Sequence, residues 1–148
     1  MDTLSAGVTP ASEGLNGIEW DILGQIYVPK LLCPDNFVWH ATFPPETFVP
    51  PHIHPTQDEW IYMLEGEFEL MLDGSETKAR AGDLVRMPRG IPHGIFNRSG
   101  GTIKCVFGVA PTRRLFDLFQ NLHKKTDVDE IVRLSAEHEV NFLPPPSE

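Results

Sequence analysis

The sequence predicts an all-β body with a short helical tail, in a single domain. Three observations lead there. The chain has 148 residues, enough for one domain with a real core. Its 12 glycines and 14 prolines fall mostly where short apolar runs would turn, which favours strands over helices. After Pro111 the apolar spacing becomes that of a helix. The expected divisions are an arm over 1–17, a β-body over 18–110 and a tail over 111–148.

The elements follow in order. Residues 1–17 are rich in Ser, Gly, Thr and Ala and read as a flexible arm. Residues 18–27 read as one strand before Pro29. Residues 36–43 concentrate Val, Trp, Thr and Phe and read as another. Pro44-Pro45-Glu46 breaks the chain. Residues 47–54 are extended again, and Pro50-Pro51 within them marks an edge or a bend. Residues 59–64 and 67–72 are strands around Gly66. Asp73-Gly74 is a hairpin turn returning through 75–80. Gly82-Asp83 leads into 84–87, and Pro88-Arg89-Gly90 turns the chain once more. Residues 93–97 and 103–109 complete the series. In the tail, Leu115, Phe116, Phe119 and Leu122 share a helical stripe. Thr126 or Asp127 can cap a second helix, Glu130 completing a capping-box pattern with Asp127, and that helix carries Val128, Ile131, Val132 and Leu134. Both helices are expected to pack outside the body or on a second subunit.

The formal net charge of −9 argues against nucleic-acid binding and against docking on an anionic membrane surface. No window approaches the ~18 apolar residues that span a bilayer. The first residues lack the basic start and apolar run of an export signal, so a cytoplasmic protein is expected. Cys33 and Cys105 are far apart and read as free thiols.

The informative segment is Pro51-His52-Ile53-His54-Pro55-Thr56-Gln57-Asp58-Glu59. In a strand, residues two apart point the same way, so His52 and His54 project together, roughly 6–7 Å apart along the chain. Glu59 follows after room for a tight turn. If it starts the next strand facing inward, Ile61 and Met63 face inward too. The run Gly90-Ile91-Pro92-His93 would bring His93 into the same cavity from a neighbouring strand. Three neutral imidazoles and one carboxylate suit a divalent Fe, Mn, Ni, Co, Cu or Zn ion. They do not suit calcium, which takes oxygen ligands.

These residues resemble the cupin superfamily. Its first motif, G-x5-H-x-H-x3,4-E-x6-G, is met at His52, His54, Glu59 and Gly66, with Glu46 in place of the leading glycine. Its second, G-x5-P-x-G-x2-H-x3-N, is met at Gly82, Pro88, Gly90, His93 and Asn97. The resemblance implies a double-sheet jelly-roll barrel, a metal held by His52, His54, Glu59 and His93, a structural Asn97 and a homodimer. The tail is similar to that of small bacterial cupins labelled quercetin-dioxygenase-like.

The leading expectation is a dioxygenase on a small chelating aromatic or dicarbonyl substrate. The substrate would chelate the metal, and Glu59, which could be both ligand and general base, or a bound base would take its proton. A non-redox isomerase, lyase or polyketide cyclase is the alternative, and a non-catalytic binding protein the third. The expected cavity walls are Phe48, Ile61, Met63, Phe68, Phe107 and Val109. Gln57 and Asp58 read as turn residues able to orient His54 or a water. Trp60 and Tyr62 face away from Glu59, and His123 and His138 read as surface residues.

Overall fold

The computed structural model describes residues 4–144. The first three residues of the expected arm and the last four of the tail lie outside the described residues. Among the described residues, eleven strands form two antiparallel sheets. The first has the order β1 (Trp20–Ile22), β2 (Gln25–Leu32), β3 (Phe37–Phe43), β10 (Ile103–Ala110), β5 (Asp58–Glu65), β8 (Leu84–Met87). The second has the order β11 (Asn141–Phe142), β4 (Phe48–Ile53), β9 (His93–Phe96), β6 (Glu67–Leu72), β7 (Ser75–Arg80). Helices α1 (Leu115–Leu122) and α2 (Val128–Glu137) lie between β10 and β11 in the chain. The fold is the double-sheet jelly roll with a short helical tail. Among the described residues no helix is long and apolar enough to cross a membrane.

Alternation builds the core. The inward residues Phe37, Trp39, Ala41 and Phe43 of β3 face Ile103, Cys105, Phe107 and Val109 of β10, all nearly or fully buried. Trp39 stacks on Phe107 with ring centroids 5.1 Å apart, and Phe43 meets Phe68 of the opposite sheet at 4.8 Å. Such offset and edge-on pairs contribute beyond the area they bury. Burial raises the pKa of the Cys105 thiol, so it is an inert core residue.

Four sequence expectations change. Residues 18–27 are two strands, because Leu23 and Gly24 both take positive φ (55° and 85°) and turn β1 back on β2. The arm is tied down: Lys30 Nζ donates to the carbonyls of Pro10 and Glu13 at 2.6 and 2.7 Å. Phe48 does not line the cavity but lies outside, stacked on Phe96 at 5.9 Å. The register of β4 against β9 shifts between Val49 and His52, at Pro50-Pro51, so Val49 rather than Phe48 faces inward. Finally, the helices do not sit outside the barrel. Phe119 packs against Trp39 and Tyr27 (5.1 and 5.2 Å), so α1 closes one mouth.

Glu46, where the motif has glycine, adopts φ 67°, the left-handed conformation that glycine takes without strain. The turn is therefore kept at some local cost. Asn97 Nδ2 donates to the carbonyls of Phe43 (2.9 Å) and Gly101 (2.8 Å), joining two turns.

Candidate metal centre

His52 on β4 and His54, one residue past its end, are brought to one side, as spacing predicts. His93 opens β9, directly opposite His52. Glu59 lies on β5 in the other sheet, opposite Val109 and Met87. One sheet thus supplies three imidazoles and the other the carboxylate. Ile61 and Met63 follow Glu59 inward, at 0% and 1% exposure. All four candidate ligands are buried, and one donor atom from each lies within 4.8 Å of all the others.

Each ring is oriented by its second nitrogen. His52 Nδ1 donates to the carbonyl of Pro50 (2.8 Å), and His93 Nδ1 to that of Ile91 (3.3 Å). His54 Nδ1 meets Gln57 Oε1 at 2.8 Å. Gln57 Nε2 donates to the carbonyls of Thr112 and Pro111 (2.7 and 3.2 Å), which identifies its oxygen as the acceptor from His54. The Nε2 atoms of His54 and His93 thereby face Glu59 Oε1, at 3.6 and 2.9 Å, and His52 brings a nitrogen to the same cluster. This is how metal-binding imidazoles are commonly held.

The centre is incomplete as a purely protein network. His93 Nε2 and Glu59 Oε1 approach to 2.9 Å, yet neither has a hydrogen-bond partner of acceptable geometry. Two buried lone-pair atoms facing each other require a cation or a proton between them. Burial pushes the Glu59 carboxyl up, but His54, His93 and His52 outweigh it and hold the group at about 2. Burial, then the neighbouring His93 and His54, keep His52 far below its usual value, hence neutral. One carboxylate and three imidazoles converging on one point are a donor set that fits a divalent transition ion.

A cavity of about 50 Å³ adjoins the centre. His52, His54 and Glu59 form its floor, and Trp39, Tyr27, Val49, Ile95 and Phe107 contribute to its wall. Its roof comes from α1, from Ser135 of α2, and from Val140 and Phe142 beyond it. Of the expected wall residues, Phe107 is present; Ile61, Met63, Phe68 and Val109 are buried core instead. Sequence reasoning missed Trp39 and the roof. The alternation of 37–43 would have found Trp39.

Other expected positions resolve simply. Asp58 pairs with Arg89 at 3.1 Å on the surface, away from His54. Trp60 and Tyr62 face outward, and the Trp60 indole covers Gly108, where an added Cβ would meet it at 2.3 Å. His138 is buried and bonds the Leu134 carbonyl at 2.8 Å. His123 Nδ1 accepts from the amide of Asp21 at 2.9 Å. Both histidines anchor the tail.

Comparison with known proteins agrees with this architecture. Residues 39–109 match the cupin domain family. The chain is 29% identical over 76 residues to the tetracenomycin polyketide synthase protein TcmJ of Streptomyces glaucescens, a stretch covering 51% of each. The chain thus spans about half the length of that curated relative. An RmlC-like cupin from Shewanella frigidimarina aligns with a TM-score of 0.67 at 20% identity, over 76% of this chain and 96% of that one. KdgF from Halomonas sp. aligns with a TM-score of 0.62 at 22% identity, over 72% and 99%. These two structures speak to the fold alone.

Proposed function

We propose, on the footing of the match of residues 39–109 to the cupin domain family, that the chain is a metal-dependent dioxygenase acting on a small chelating aromatic or dicarbonyl compound. One observation carries the reading. His52, His54 and Glu59 of the His52–His54–Glu59–His93 cluster floor a mainly apolar cavity lined by no lysine or arginine among the described residues. Such a cavity suits an apolar chelating molecule and offers nothing to balance a phosphate.

His52, His54, Glu59 and His93 would hold the ion, which supplies Lewis-acid and redox chemistry when bound. The apolar roof excludes water from the substrate. Glu59 is the carboxylate in the cavity floor, and in this reading it takes the proton lost when a dicarbonyl becomes its enolate. Oxidative cleavage of such a substrate places both atoms of dioxygen in the products, so no separate reductant is needed. The relative TcmJ supports a dicarbonyl by its name, since polyketides are built from β-dicarbonyl units. The same name fits the non-redox alternative, a Lewis-acid cyclase.

The experiment is oxygen uptake by protein loaded with each candidate metal, using β-dicarbonyls and flavonols. The expected result is oxygen consumed in step with substrate. Turnover that persists without oxygen would select the Lewis-acid alternative. A homodimer belongs to this proposal, with the outward groove of Trp60, Tyr62, Leu84 and Val106 as its apolar surface. Light scattering across a dilution series tests it.

A further inference from the structure

Two buried polar groups around the cavity have no hydrogen-bond partner among the described residues. Trp39 Nε1 and Ser135 Oγ are both unpaired, on residues 1% and 0% exposed. Both residues line the cavity that the metal ligands floor. A buried tryptophan N–H usually finds an acceptor, and an orphaned one calls for an explanation.

Helix α2 sharpens the point. Its sequence offers Val128 and Val132 for burial, yet these are 70% and 41% exposed. The residues it buries are Ile131 and Ser135. A serine turned inward ahead of two valines is costly for packing alone.

Size sets a second limit. On a measure where one water needs roughly 10–15 Å³, a cavity of about 50 Å³ holds only a few waters. Pockets for drug-sized ligands run from roughly 300 to 1,000 Å³.

We infer that Trp39 and Ser135 are specificity-determining residues that hydrogen-bond a compact dicarbonyl, one carrying a further oxygen beyond its chelating pair. This rests on the metal-centre reading above and narrows its substrate class. Trp39 Nε1 only donates, so the ligand must offer an acceptor there. Ser135 donates or accepts, so it takes a carbonyl, an ester or a hydroxyl. Without a basic residue in the lining, phosphates and polycarboxylates are disfavoured. The roof leaves no room for a three-ring flavonol.

The test uses the full chain loaded with cobalt(II), whose visible spectrum reports ligand binding without turnover. Methyl acetoacetate is the compact probe, quercetin the large one, and formate the anion that reaches only the metal. Trp39→Phe and Ser135→Ala should each weaken methyl acetoacetate about five- to tenfold, the size of one neutral hydrogen bond. Formate affinity should not change, which also shows that the centre is intact. Ser135→Ala removes only a hydroxyl, so it stands as the test if Trp39→Phe fails to fold. Unchanged methyl acetoacetate binding in Ser135→Ala, or quercetin binding more tightly than methyl acetoacetate, overturns the inference while leaving the metal centre standing. A wild-type chain that takes up no cobalt overturns the metal-centre reading, and this inference with it.

Discussion

In the candidate metal centre beneath the cavity, the partner that orients each imidazole lies two or three residues away: Pro50 for His52, Gln57 for His54 and Ile91 for His93. In the roof, the ties span the chain. Trp20 Nε1 donates to Gln120 across 100 residues, the Asp21 amide to His123 across 102, and Thr56 to Glu139 across 83. The floor is therefore ordered by local backbone and register, the roof by packing and long-range contacts. Chemistry that must be held within fractions of an ångström sits on the rigid sheets. The groups that select the ligand sit partly on elements whose position depends on the whole fold.

Four variants probe this contrast. The largest effect is expected from His93→Ala, which removes the ligand entering from β9. Divalent metal in protein purified without chelator should fall from stoichiometric to background, as read by elemental analysis. Next is Phe119→Ala, which empties the centre of the roof. It should lower stability by about 3–5 kcal/mol, seen as a reduced urea midpoint, while metal content stays. Loss of metal in that variant would show that floor and roof are not separable.

Gln57→Ala addresses the side chain that joins the two regions, since it holds His54 and bonds the carbonyls of Pro111 and Thr112. Metal affinity should fall by about 10–100-fold, measured by competition with a chromophoric chelator. The smallest effect is expected from Asp58→Ala. Its pair with Arg89 is solvent-exposed, and such pairs contribute little. Metal content and the midpoint of thermal unfolding should both match wild type, although Asp58 adjoins Glu59 in sequence.

The same contrast explains how much could be read in advance. The cluster of candidate ligands was legible because strand alternation and turn chemistry are local rules. They place His52 beside His54, and Glu59 in line with Ile61 and Met63. The strands from Glu67–Leu72 through Leu84–Met87 were legible for the same reason, being bounded by Gly66, Asp73-Gly74, Gly82-Asp83 and Pro88. Phe48 was misread because the shift at Pro50-Pro51 breaks alternation, and parity cannot be carried across a bulge. The stripe of α2 was misread because hydrophobicity favoured Val128 and Val132. Burial is decided by which face meets the barrel, and that face carries Ser135.

The all-β body, its turns, and the four residues able to share one divalent ion can all be traced in the amino-acid order. Each depends on the preferences of residues close along the chain. The closing of one mouth by the tail, the small size of the cavity, and the meeting of Trp39 and Ser135 there without partners came only from the assembled fold. A cavity's volume and its unsatisfied groups are properties of surfaces brought together from distant parts of the chain, and no local pattern encodes them.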